Sequence, residues 1–322
     1  MRCRYVLLFI AFCFSFCKLN AQAINNTLAY KNINSDAYFR FDLENDFFGF
    51  TDEYYTQGID IELVAPWVRD FPLSKLLIHP REGYLRYGFT VEDNMYTPST
   101  LSMDTILKND RPYTSTLFLK TFAINVDTLR KQRFSTTLST GMMGPSVLGK
   151  EMQTSLHRRL DNLIPHGWDN QLSNMFIVNY EADYEKELII YRNILSVSGN
   201  AMARVGSLSD KVMLGATAML GYFDSPYSNY YVRTNNMRIY GYVHPEMNVV
   251  GYDATMQGSP FKDKSSYTIN AIDITRLVFS NRFGFVVTYK RLYLEYFQTI
   301  MSKEFDQGKV HTWGGIQLAF GM

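Results

Sequence analysis

Tyr38-Phe39-Arg40-Phe41-Asp42-Leu43-Glu44 alternates without a break. Phe39, Phe41 and Leu43 fall on one face, and Arg40, Asp42 and Glu44 on the other. Successive side chains of a strand point to opposite sides, so this period of two is a strand signal. The pattern returns at once: Ile59, Ile61 and Leu63 stand against Thr56, Asp60 and Glu62. A face this charged suits a water-facing sheet. It equally suits the lumen of a membrane barrel whose apolar face meets lipid.

Working outward, the same texture fills the chain. Candidate strands are Tyr84–Val91, Thr114–Ala123, Phe134–Met142, Asn174–Tyr184, Leu188–Ala203 and Lys211–Tyr222. Later ones are Tyr230–Tyr242, Glu246–Asp253, Ser266–Phe279, Phe283–Gln298 and Thr312–Phe320. Several are long enough to cross an outer membrane, which takes about 9–11 residues per strand. Turn signals at Asp224-Ser225-Pro226, Gly258-Ser259-Pro260 and Asn281 separate them. After the N-terminus no apolar run approaches the roughly 20 residues of a membrane-spanning helix. Aromatic residues make up 15% of the chain, with 23 Tyr and 23 Phe, an excess that suits the girdles of outer-membrane barrels and also a soluble β-sandwich. No linker or composition break divides the chain, so one domain is expected. Gln317-Leu318-Ala319-Phe320-Gly321-Met322 closes it, with an aromatic residue two places from the end. The fold class is all-β, an antiparallel transmembrane barrel.

The N-terminus gives the route to the membrane. Arg2 and Arg4 precede the apolar run Tyr5 to Cys17, and Ala21-Gln22-Ala23 follows. Basic head, apolar run and small-residue exit define a secretory signal. Cleavage is expected near Ala21 or Ala23, giving a signal at 1–23 and a barrel domain at 24–322. Phe14-Ser15-Phe16 before Cys17 is too bulky for a lipoprotein signal. All 3 cysteines (Cys3, Cys13, Cys17) lie in this segment, so the mature chain has none. Loss of Arg2, Arg4 and Lys18 from 32 basic residues leaves 29 against 31 acidic ones. No basic stripe points to nucleic acid. The expected location is the outer membrane of a Gram-negative cell.

One segment breaks the strand rhythm. In Gly149–Leu163, Met152, Leu156, Leu160 and Leu163 recur at helical spacing. Gln153, His157 and Asp161 form a neighbouring stripe, each four apart. Pro165 and Gly167 follow as stops. Such a helix among strands either covers a barrel mouth or carries chemistry.

Without cysteine, a G-x-S-x-G elbow or an H-E-x-x-H helix, the chain is left with histidine and oxygen-ligand chemistry. The histidines are His79, His157, His166, His244 and His311. His157 is the sharpest candidate base, with Gln153 and Asp161 one turn to either side. A surface histidine on a polar stripe is the competing reading. Asn45 and Asp46 end the first strand and Thr56 opens the second, so a hairpin brings them together. Their carboxylate, amide and hydroxyl oxygens suit a hard cation such as Ca²⁺. An Asn-Asp turn explains the same residues. Asp46 and Thr56 share the parity of Asp42 and Asp60. Asn45 does not, so a bulge or the strand's end must bring it in.

At these residues the chain resembles the outer-membrane lipid A 3-O-deacylases, the LpxR family. The shared elements are Leu43-Glu44-Asn45-Asp46, Tyr55-Thr56-Gln57-Gly58, Tyr96-Thr97-Pro98-Ser99 and Asp110-Arg111-Pro112-Tyr113. The longest runs from Gly144-Pro145 through Gln153 and His157-Arg158 to Gly167-Trp168-Asp169-Asn170-Gln171-Leu172. Tyr252-Asp253-Ala254-Thr255-Met256-Gln257-Gly258 is a later match. The resemblance covers most of the mature chain. It implies a barrel of about 12 strands that hydrolyses the ester of the 3′-acyloxyacyl group of lipid A with Ca²⁺. It assigns His157 as the base, Gln153 as its companion, and Asn45, Asp46 and Thr56 to the metal. The chain departs from the family pattern twice. Leu163 stands where a functional Glu is found, and Ser102 where a Lys is found. Asp161 is the expected stand-in for that Glu. The implied partner is lipid A, or lipopolysaccharide, in the outer leaflet, and a monomer is expected.

Two further readings belong to other classes. A passive porin-like or structural barrel explains the strands but not the helix. A phospholipase with a Ser-His pair on strands lacks a serine at a matching position, and Ser155 stands too close to His157 in sequence to serve as evidence.

Overall fold

The computed structural model describes residues 25–49, 53–228, 237–261 and 263–322. The expected signal at 1–23 lies outside these residues. Twelve strands close into one antiparallel barrel. They are β1 (Tyr38–Asn45), β2 (Tyr54–Val64), β3 (Tyr84–Thr97), β4 (Thr114–Asp127), β5 (Gln132–Met143) and β6 (Met175–Tyr191). The second half is β7 (Leu195–Gly206), β8 (Ser209–Tyr222), β9 (Arg238–Asp253), β10 (Leu277–Tyr289), β11 (Leu292–Met301) and β12 (His311–Gly321). Each strand pairs with its neighbours in sequence, and β1 closes the ring on β12 from Tyr38↔Gly321 to Asn45↔Gly314. Closure leaves no sheet edge, so every backbone polar group of the wall finds a partner without water. Helix α1 (Gly149–Arg159) lies in the β5–β6 connection and the one-turn α2 (Ala254–Gln257) follows β9. No helix of the described residues is long and apolar enough to cross a membrane.

The alternation that defined β1 sorts side chains as a barrel requires. Arg40, Asp42 and Glu44 are at most 1% exposed, while Phe39 and Ile61 are 44% and 46% exposed on the outer face. The lumen is dense with polar groups. Arg282 pairs with Glu44 at 2.7 Å and Arg40 with Glu62 at 3.4 Å.

The lumen is also plugged. Residues 25–33 run inside it, and Lys31 is fully buried. Arg40 donates to the carbonyls of Asn26 (3.2 Å) and Lys31 (2.9 Å), and Arg133 to that of Thr27 (2.6 Å). Glu185 accepts from the Ala29 N–H at 2.9 Å. A passage filled by a segment this well bonded does not fit an open porin.

Some boundaries differ from the expected ones, for local reasons. Leu188–Ala203 joins the end of β6 to the start of β7, because their turn carries Arg192 at φ 52 with no Gly or Pro to mark it. Phe283–Gln298 likewise spans the β10–β11 turn at Lys290, φ 55. Asn281, expected as a turn, sits in mid-β10 opposite Pro245 and Ile300. Ser266–Phe279, expected as a strand, is connection up to Leu277. Glu246–Asp253 and the described part of Tyr230–Tyr242 are one strand, β9, that runs through Pro245.

Both ends of the barrel sequence, and the tight turns at 128–131, 192–194 and 290–291, lie on one rim. Short turns face the periplasm in outer-membrane barrels and long loops face outward. The connections 98–113, 144–174 and 254–276 share the opposite, outer rim.

Candidate active site on the outer wall

Helix α1 does not cover the barrel mouth. Register shows where it sits. Along β3, Glu92 and Asn94 face the lumen, so Val91, Asp93 and Met95 face outward. Opposite Met95 stand Gln57 on β2 and Ser115 on β4, on the same outward face. Further toward the membrane that face is open: Leu117, two residues from Ser115, is 43% exposed, and Val91, four from Met95, is 45% exposed. At the rim it is covered: Met95 and Ser115 are fully buried and Gln57 is 7% exposed. The cover is α1 and the segment after it. Met95 packs with Leu101, Tyr113 and Trp168. Gly149 rests on Ser115 so closely that a Cβ there would lie 2.5 Å from the serine side chain. Only glycine permits that approach.

From Gly149 the helix crosses toward β2. Gln153, 3% exposed, accepts from the Trp168 indole N–H at 2.6 Å and reaches the Thr56 hydroxyl at 3.4 Å. It thus ties helix, following loop and barrel wall together. Asn45 donates to the Thr56 carbonyl at 2.6 Å and accepts from the Phe47 N–H at 2.8 Å. The β1–β2 register runs unbroken to Asn45↔Gln57, so no bulge in it carries Asn45 to the face of Asp42 and Asp60; the shift between Tyr55 and Gln57 lies against β3. Asp46 begins a short 3-10 turn and is 3% exposed. Asn45 and Thr56 are therefore bonded across the β1–β2 hairpin, Asp46 follows Asn45 in the chain, and Gln153 reaches Thr56.

His157 lies four residues beyond Gln153, about 6 Å along the helix, and is 7% exposed. Its Nδ1 is 2.6 Å from the Leu163 carbonyl. A carbonyl only accepts, so Nδ1 is the donor, and in the neutral ring the lone pair then lies on Nε2. The helix end explains how Leu163 gets there. Asp161 adopts φ 52, and the Asn162 N–H bonds the His157 carbonyl at 2.9 Å. This is a Schellman closure with Asp161 in the left-handed position after the C-cap. It ends α1 at Arg159, short of the expected Leu163, and turns the chain back over the imidazole.

Of the six expected residues, contacts link Asn45, Thr56 and Gln153, while Asp46 adjoins Asn45 in the chain and His157 stands one turn from Gln153 on α1. Asp161 is exposed and no hydrogen bond or ion pair to it is found among the described residues. The group that meets the His157 ring is the Leu163 carbonyl. Sequence reasoning missed Trp168 and the Leu163 carbonyl. A buried tryptophan fifteen residues from a buried glutamine has no periodic signature, and a backbone carbonyl has none at all.

For a cation the donor set fits in kind. Amide, carboxylate, hydroxyl and carbonyl oxygens are hard ligands of the type Ca²⁺ takes. The set carries only one formal charge, that of Asp46. No group of three or more His, Cys, Asp or Glu suited to a metal occurs among the described residues.

Fold and site together define an outer-membrane β-barrel whose candidate site lies between its outer wall and a clamped helix. The model of the outer membrane protein LpxR family matches residues 8–322, and the chain belongs to that family. Among solved structures, LpxR from Salmonella typhimurium is 17% identical with a TM-score of 0.73, over 88% of this chain and 100% of that one. The β domain of the Bordetella autotransporter BrkA gives 9% identity and a TM-score of 0.44, over 89% and 98%. The translocator domain of NalP from Neisseria meningitidis gives 8% and 0.41, over 89% and 87%. The first supports the shared fold, and the other two bear on nothing further. A search of curated proteins finds no match.

Proposed function

We propose that this protein is an outer-membrane hydrolase that removes the 3′-O-linked acyloxyacyl group of lipid A, with His157 as general base. One observation carries the reading: α1, held on the outer wall through Gln153 at Thr56, carries the buried His157 one turn further on, its Nδ1 bonded to the Leu163 carbonyl. Family membership supports the same reaction.

His157 Nε2 takes a proton from the attacking water, and the Leu163 carbonyl steadies the resulting imidazolium through Nδ1–H. Gln153 keeps α1 at the wall through Trp168 and Thr56. Asn45, Asp46 and Thr56 would hold Ca²⁺. That ion, when bound, would polarise the ester carbonyl and offset the charge of the oxyanion. After collapse of the tetrahedral intermediate, His157 returns its proton to the leaving sugar oxygen. No serine nucleophile is needed. Mass spectrometry of lipid A from cells with and without the protein, with and without a calcium chelator, tests the reading. Loss of one acyloxyacyl group only with protein and calcium is the expected result. Identical lipid A in all four samples would contradict it.

A further inference from the structure

We infer that Asp93 is a specificity residue that accepts a hydrogen bond from an amide or hydroxyl at the base of an acylated sugar's chains. The inference rests on the outer-wall site proposed above. Asp93 faces outward from β3, since Glu92 and Asn94 on either side are buried in the lumen at 1% and 3% exposure. Its direct neighbours across the strands are Ile59 and Leu117. Its diagonal neighbours are Gln57 and Ser115, about 7–8 Å away; Gln57 is buried and Ser115 lies against Gly149 of α1. Apart from Asp127, where β4 meets its turn, Asp93 is the single acidic or basic side chain on the outward face of β1–β4.

Its carboxylate has no evident structural use. Oδ2 is buried and meets no hydrogen-bond donor among the described residues. A carboxyl oxygen buried without a donor, on a half-buried residue of a lipid-facing wall, is unfavourable. A leucine there would match Ile59 and Leu117. The donor is therefore expected from outside the protein. What passes this point, on the membrane side of the helix, is the junction of a lipid's head and its chains. A carboxylate only accepts hydrogen bonds and repels phosphate. An N-acylated sugar with 3-hydroxyacyl chains offers N–H and O–H donors at that level. The glycerol esters of a phospholipid offer acceptors only. Asp93 thus favours the first class and leaves the second with an unsatisfied charge, a strong basis for rejection.

The test compares wild type, Asp93→Asn and Asp93→Leu in proteoliposomes. The expected result for Asp93→Leu is a KM for lipid A raised roughly 10–150-fold with kcat nearly unchanged, the factor one hydrogen bond to a charged group is worth. Dioleoyl phosphatidylcholine, which has no donors, should become a better competitor. Asp93→Asn, whose amide oxygen still accepts, should fall between. Unchanged KM and competition would overturn the inference. So would a lower urea midpoint for Asp93→Leu, which would make the residue structural. If wild type does not deacylate, the function reading fails by itself. Native mass spectrometry then decides on Asp93: wild type should retain lipid A over phosphatidylcholine and Asp93→Leu should not, and equal retention by the two proteins would overturn the inference.

Discussion

Replacing Gln153 by leucine attacks the clamp at its centre. The Trp168 indole N–H is fully buried and donates to Gln153 at 2.6 Å. Leucine fills similar space but offers no acceptor. A buried donor left unsatisfied costs about 1–3 kcal/mol. The 3.4 Å contact to Thr56 is too long to add much. The cost falls on docking of α1, not on the barrel, because the helix lies on the outer wall. Opening of α1 should then become roughly 5–150 times more frequent. Hydrogen exchange of the amides of 149–159 reads this directly, and those rates should rise by that factor while strand amides hold. Deacylation falls only as far as the helix is undocked, so exchange is the sharper assay. In a Trp168→Phe background the donor is gone, and Gln153→Leu should change exchange far less. Unchanged exchange, or equal acceleration in helix and strands, would refute the clamp.

Asp161→Gly should retain activity and firm the helix end, since glycine relieves a left-handed strain of up to about 1 kcal/mol; a dead Asp161→Gly enzyme would restore Asp161 to the catalytic set. Leu163→Ala should also remain active, because only its carbonyl serves His157, and single-turnover rates check both variants. With one carboxylate the cation site should be weak, half-saturating at roughly 0.1–1 mM Ca²⁺, and Asp46→Asn should remove the calcium dependence measured by titration. Deleting residues 25–33 should open the lumen to ions in planar bilayers, whereas the intact protein should not conduct.

The barrel was legible because alternation is strict where one face meets lipid and the other a polar lumen, as in Phe39–Glu44. Two turns were not, since Arg192 and Lys290 take left-handed conformations without Gly or Asn. The nearness of Asn45 to Thr56 was readable from the hairpin, and the shared helix of Gln153 and His157 from their spacing. That the helix rides the outer wall was not. It depends on Gly149 meeting Ser115 and on Trp168 covering Met95, contacts between residues far apart in sequence. The apolar stripe of α1 illustrates the gap. Met152, Leu156, Leu160 and Leu163 read as a packing face, yet they are 38–60% exposed, while Gln153 and His157 face the wall.

The central claim is that His157 is the base of a lipid A deacylase. Purified protein reconstituted with lipid A and calcium, followed by mass spectrometry over time, tests it most directly. Wild type should release one acyloxyacyl chain, and His157→Gln should be slower by about 10²–10⁴-fold. Intact lipid A with wild type, or equal release by both proteins, would contradict it.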